Sequence, residues 1–174
     1  MGNRPFRRTA VSGEARSCAV ATLAVVFAYR VCAFDLCTDD ATRIHYANNA
    51  MFLLCGVQSG TYASPVFIAG EEITVPAGDT MTIEGGTTVL FAAGASIRID
   101  GHLRCDGAAD NPVQLLKLDK TLYPPVAPPP DTLFWDGLHV SGRGSLVMRH
   151  TVLLESRGGV RGELGSRVEI DSCQ

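Results

Sequence analysis

Several features that mark other classes of protein are missing from this sequence. It contains no Cys-x-x-Cys pair, so a zinc or redox site has little support, and we expect no metal and no cofactor. A membrane-spanning helix needs roughly 20 apolar residues. The apolar run from Cys18 to Tyr29 has only twelve before Arg30 interrupts it. No helical period of useful length occurs after residue 64, which excludes an α-helical domain there.

A net positive charge is also missing from most of the chain. The sequence carries a net charge of −3, but residues 1–33 hold five arginines against one glutamate, a net of +4. The remaining 141 residues therefore carry −7. Such a chain offers no positive field to attract phosphate, so we expect no nucleic-acid partner.

The basic N-terminal segment has the layout of a secretory signal. Arginines precede the apolar run, and the small residues Val31 and Ala33 follow it at the positions that precede cleavage. We therefore expect residues 1–33 to be a signal peptide and the protein to be secreted or displayed at the cell surface. Arg30 lies unusually late, so an uncleaved signal anchor is the alternative, and only then would a membrane be a partner.

Four cysteines follow this segment, an even number that allows three disulfide pairings. We favour Cys37–Cys55, because this bond would staple the short segment 34–63. That segment contains a brief apolar stretch from Ala50 to Cys55 and closes in glycines. We expect a short helix or irregular strand there, capping the end of the structure that follows.

From residue 64 onward the pattern changes to short runs that alternate apolar and polar residues, separated by Gly, Asp, Asn and Pro. The runs recur: Ile83 and Cys105 are 22 residues apart, and so are Met148 and Ile170. Val89 and Val113 are 24 apart. This period is typical of a β-solenoid, in which apolar residues flanking a polar one point inward. It predicts an all-β fold with about three coils of roughly 22 residues over 64–174.

Particular motifs support a family resemblance. Residues 73–91 read IxVPxGDTMTIxxGTTVxF, and residues 96–107 continue as SIxIxGxLxCxG. The strand that begins at Trp135 reads WDGLHV. Over about residues 65–174 the chain resembles right-handed parallel β-helix domains of secreted or surface proteins. The resemblance implies the fold but not the activity, because the family includes adhesins, structural spikes, polysaccharide lyases and glycoside hydrolases.

Two departures from a simple stack are visible in the sequence. Residues 118–134 form an insertion with five prolines, which predicts an extended loop leaving the stack. The pattern also continues to the last residues, so we expect the domain to be incomplete at its C-terminus and its last coil open to another β-helix chain. A β-sandwich, which also shows short alternating strands, is the alternative fold.

The register of the coils predicts which side chains share a face. Cys105 and Cys173 would lie two coils apart, about 10 Å, too far for a disulfide. The predicted outward columns are Thr82, Arg104, Val147 and Glu169; Leu90, Gln114 and Leu153; and Arg98, His139 and Arg161. The first two columns bring no carboxylates together, and no Ser-His-Asp arrangement is available, so no catalytic residue is predicted.

The column of Arg98, His139 and Arg161 is the predicted binding site. Cationic side chains stacked in a chain of net −7 are a plausible contact for the sulfate or carboxylate groups of an acidic polysaccharide. The plainer interpretation is a solvated strand face. We therefore expect a non-catalytic structural or adhesive module. The alternative is a carbohydrate-active enzyme, a polysaccharide lyase or glycoside hydrolase, or a fragment of one.

Two further features have competing interpretations. Asp100, Asp106 and Asp110 surround one turn and could bind Ca²⁺, but aspartate is also simply a good turn residue, which we favour. Trp135, the single tryptophan, could be a platform for stacking a sugar. We expect it instead to pack over the core, since large aromatic side chains are usually buried.

Overall fold

The computed structural model describes residues 36–38, 40–63, 65–124 and 134–174. The predicted signal segment 1–33 lies outside these residues, and so does most of the proline-rich insertion. Among the residues that are described, no helix is long and apolar enough to cross a bilayer. Residues Ala33–Gln174 belong to one unit, so the segment 34–63 and the strands after it are not divided.

The described chain is mostly β, as predicted, with every pair of named strands parallel. One short α-helix and one 3-10 helix accompany the strands. The elements are α1 (Asp40–Asn48), β1 (Phe52–Val57), β2 (Gly60–Tyr62), β3 (Val66–Val75), β4 (Thr80–Glu84), β5 (Thr88–Phe91), β6 (Ser96–Ile99), β7 (His102–Asp106), β8 (Val113–Lys117), the 3-10 helix (Lys120–Leu122), β9 (Gly137–Val140), β10 (Ser145–Arg149), β11 (Thr151–Leu153), β12 (Val160–Gly162) and β13 (Arg167–Asp171).

The strands form two sheets within the described residues. The smaller sheet has the order β13-β10-β7-β4-β2, and the larger has the order β11-β8-β5-β3-β6-β9-β12, with β1 also on β3. The long strand β3 joins two columns, because its first half pairs with β5 and its second half with β6. The chain therefore runs repeatedly through three columns of parallel strands.

The described strands make five layers, where the sequence predicts about three. The difference arises at the N-terminal end, because β1 and β2, inside the segment expected to act as a cap, pair with β3 and β4. Phe52 lies beside Phe67, only 15 residues on, so this layer lacks the 22-residue spacing that revealed the others. A repeat search by period alone therefore misses it.

The interior consists of the apolar residues that flank the centre of each triplet. Met81 and Ile83 are fully buried, while Thr82 between them faces outward. The same alternation holds for Leu103 and Cys105 on the neighbouring strand β7. Successive side chains of a strand point to opposite faces, so this pattern builds a continuous apolar core through the layers.

Candidate functional site

The predicted cationic residues lie on neighbouring strands of the larger sheet. Arg98 on β6 is in register with His139 on β9, and His139 is in register with Arg161 on β12. Parallel strands are about 4.8 Å apart, so these three residues form one column across three layers. Their predicted alignment is confirmed. Whether they bind a ligand is a separate question, which the charges around them bear on.

Arg98 is already engaged with an acidic neighbour. Its Nε donates to both carboxylate oxygens of Asp100, at 3.3 and 3.2 Å. The bond to Asp100 is also the main reason that the pKa of Arg98 is raised, with smaller contributions from the charges of Glu72 and Glu163. The positive charge of Arg98 is thus largely balanced, and the pair is exposed enough that it adds little to stability.

His139 and Arg161 offer more free capacity. The Nε2 atom of His139 is buried and has no hydrogen-bond partner among the described residues. Arg161 is exposed and makes no ion pair within the part of the chain that the structure describes. Its Nε lies 2.8 Å from the position that a Cβ on Gly158 would occupy, so the side chain extends across that glycine. A ligand anion would therefore meet Arg161 before the other two.

The pairing of Arg98 with Asp100 belongs to a pattern that the sequence reasoning missed. Residues two apart on a strand share a face. Arg104 donates to Asp106, with 2.7 Å between Nη2 and Oδ2, and Arg167 lies 3.6 Å from Glu169. The signal in the sequence is an arginine followed two residues later by an acid, and it identifies arginines that are not available to a ligand.

The first predicted column has the expected register. Thr82, Arg104, Val147 and Glu169 are aligned across β4, β7, β10 and β13. The second predicted column is wrong, because Gln114 lies between Thr88 and Val152, and Leu90 lies beside Leu116. The turn before β8, closed by a bridge between Ala108 and Asn111, makes this repeat two residues longer than assumed.

One pair of carboxylates does occupy adjacent positions, which sequence reasoning also missed. Glu84 and Asp106, at the ends of β4 and β7, are in register on neighbouring strands. Hydrolysis of a glycoside requires two carboxyl groups free to act as acid and as base or nucleophile. Asp106 is held by Arg104 instead, so the pair does not form such a constellation as it stands.

The three turn aspartates do not converge on a common point. Asp100 and Asp106 are each paired with an arginine on their own strand, and Asp110 is exposed in the turn before β8. Among the described residues, the group of three metal-ligating side chains that does converge is Cys37, Cys55 and Glu71. The calcium interpretation of the aspartates therefore has no geometric support.

Trp135 is part of the core, and the sugar-stacking interpretation is wrong. The side chain is fully buried, and its Nε1 donates to the carbonyl oxygen of Leu154 at 2.9 Å. The predicted cysteine pattern is confirmed: Cys37 is bonded to Cys55, whereas Cys105 and Cys173 are free. The disulfide links the segment before α1 to β1.

Comparison with known proteins identifies no relative. No protein-family model, no curated protein and no solved structure matches the chain.

Proposed function

We propose that the chain is a non-catalytic module of a secreted or surface-exposed protein, built as a right-handed parallel β-helix with a structural or adhesive role. The observation that supports this proposal is the five-layer, three-column parallel pairing around a continuous apolar interior. Connections between parallel strands are almost always right-handed. Such a stack presents flat faces of regularly spaced outward side chains, which suit repeated contacts along a polymer or another surface.

Crosslinking between layers tests the proposed fold against a β-sandwich. Thr82→Cys with Arg104→Cys would place two cysteines in register on β4 and β7, at about 5 Å between Cα atoms, within the range of a disulfide. The matched control, Thr82→Cys with Val147→Cys, separates them by two layers, about 10 Å. In a background with Cys173→Ser, only the first pair should crosslink on oxidation. Equal crosslinking of both pairs contradicts the layered fold.

We further propose that an acidic polysaccharide is the ligand of this module, held on the column of Arg98, His139 and Arg161. The support is their register across three layers, together with the exposed and unpaired guanidinium of Arg161. Guanidinium groups form bidentate bonds with carboxylate and sulfate oxygens. Since Asp100 competes for Arg98, Arg161 carries the larger part of the proposed affinity.

A glycan array with sulfated and carboxylated members tests this ligand. Arg161→Ser should weaken binding by about tenfold, the usual effect of losing a hydrogen bond to a charged group, and Arg98→Ser by less. Arg167→Ser is the control, since its exposed side chain lies on β13 in the smaller sheet. Binding that is absent in the wild type, or lost equally in the control, contradicts the proposal.

A second partner fits the last layer. Val168 and Ile170 on β13 occupy inward positions but are 41% and 52% exposed. A strand with one unpaired edge and exposed apolar residues is a template for pairing with another chain. We therefore propose that a second β-helix chain contacts this layer. Light scattering should detect self-association that Ile170→Lys abolishes, and a chain that stays monomeric at high concentration contradicts it.

A further inference from the structure

Two sulfur atoms and a carboxylate meet beside the N-terminal layers. The ligand atoms of Cys37, Cys55 and Glu71 all lie within 4.8 Å of one another, the single such group of three among the described residues. Both cysteines are partly exposed, and Glu71 is exposed, so the cluster can be reached from solvent. Thiolate and carboxylate are both ligands that Zn²⁺ accepts.

The backbone holds these groups together independently of the bond between the sulfurs. Leu54 pairs with Ala69 and Gly56 with Ile73, so the register shift places Cys55 opposite the segment that contains Glu71. Gly70 completes the arrangement, because a Cβ there would lie 3.0 Å from the Sγ of Cys37. The absence of a side chain at this position lets the segment before α1 approach β3 closely.

We propose that the reduced form of Cys37, Cys55 and Glu71 is a three-ligand site for a thiophilic divalent cation such as Zn²⁺, with water as the fourth ligand. Two sulfurs on one tetrahedral zinc are each about 2.3 Å from it, hence roughly 3.8 Å apart. The Cα atoms of the two cysteines are 5.9 Å apart, so rotation of the side chains suffices to reach that separation.

The exchange between the two forms balances. A dithiol or phosphine reductant supplies two electrons, the S–S bond breaks, and each sulfur becomes a thiol. The cation then displaces one proton from each thiol and binds the two thiolates and the Glu71 carboxylate. The link between β1 and the segment before α1 is thus a disulfide under oxidising conditions and a metal dithiolate under reducing conditions. This inference is independent of the proposed β-helix function.

Cobalt titration of the full chain tests the site, with Co²⁺ as a spectroscopic substitute for Zn²⁺. Cys18, Cys32 and Cys173 are replaced by serine, so that the buried Cys105 is the one thiol outside the cluster. After reduction by a phosphine without oxygen, one equivalent of Co²⁺ should bind with thiolate-to-cobalt absorption and be displaced by Zn²⁺. The oxidised chain should bind none. A reduced chain that binds no stoichiometric Co²⁺ overturns the site.

The role of Glu71 is tested separately. Glu71→Gln should weaken Co²⁺ binding by about tenfold or more, since even residues that only support a metal ligand have effects of this size. Glu72→Gln is the matched control: the adjacent carboxylate contacts Ser96 and lies outside the cluster. Equal affinities of the two variants overturn the three-ligand site.

Alkylation provides a measurement that does not depend on the folding of a variant. Zn²⁺ should slow the alkylation of Cys37 and Cys55 in the reduced wild-type chain, as read by mass spectrometry of their peptides. Alkylation at the same rate with and without Zn²⁺ overturns the proposal.

Discussion

The indole ring of Trp135 lies flat against the ring of Phe91, with 4.1 Å between the ring centroids and 10° between their planes. Phe91 ends β5, and Trp135 stands directly before β9, so the contact spans two successive layers. Both side chains are buried, and the indole N–H is satisfied by the Leu154 carbonyl. The insertion after β8 thus returns to the stack through a buried aromatic anchor.

Replacing Trp135 by alanine should lower the free energy of unfolding by about 3–5 kcal/mol, because it removes buried area and leaves a cavity. Phe134→Ala is the matched control, since this neighbouring aromatic residue is 49% exposed and its loss should cost well under that amount. Urea unfolding followed by circular dichroism measures both. A similar loss in the two variants would contradict the anchoring role of Trp135.

Gly70→Ala should destabilise the protein by about 1–3 kcal/mol through overpacking. The new Cβ would lie 2.9 Å from the Cβ of Leu36 and 3.0 Å from the Sγ of Cys37. Gly162→Ala is the control, because its closest neighbour is the hydroxyl of Ser166, the end of a flexible side chain. Thermal unfolding of the oxidised proteins gives the comparison. A control variant that is less stable than Gly70→Ala would argue against close packing at β3.

His150 adopts a left-handed backbone conformation, with φ at 42°, at the corner between β10 and β11. His150→Gly should leave stability unchanged or raise it, since glycine adopts this conformation without a steric cost. His150→Val should lower it by about 1–2 kcal/mol, because a β-branched residue is strained there. Chemical denaturation of both variants measures the difference, and equal stabilities would show that the corner relaxes.

Burial raises the pKa of the Cys105 thiol from 9.0 to about 12, with smaller contributions from Cys173 and Asp106. Because the thiol ionises more easily in the unfolded chain, its contribution to stability is present below about pH 9. That contribution is lost as the pH rises toward 12.

The stability of the wild type should therefore fall more steeply above pH 9 than that of Cys105→Ala, and Cys173→Ser should behave like the wild type. Urea unfolding across this pH range measures the three slopes. Parallel curves for the wild type and Cys105→Ala would contradict the buried thiol.

The spacing of apolar triplets predicted much of the register. Ile83 aligns with Cys105, and Met148 with Ile170, at the 22-residue separation read from the sequence. The prediction failed where a turn changes length, as before β8, because Val113 and Leu115 both satisfy the apolar pattern. A shift of two residues keeps the inward face apolar, so the sequence does not distinguish the two registers there.

The candidate sites divide in the same way. Alternation along single strands was enough to align Arg98, His139 and Arg161. The ion pair between Arg98 and Asp100 was readable in principle, since the two residues share a strand face. The cluster of Cys37, Cys55 and Glu71 was not, because its members are far apart in the chain and meet only through the irregular pairing of β1 with β3.

By itself, then, the sequence determined the β character of residues 64–174, the inward and outward faces of most strands, and the favoured disulfide between Cys37 and Cys55. These features depend on local alternation and turn chemistry, which act over a few residues. Only the tertiary structure decided that β1 and β2 join the stack, that Trp135 is buried against Phe91, and which arginines stay unpaired. Those outcomes depend on how separate layers pack together, and packing is a property of the whole fold.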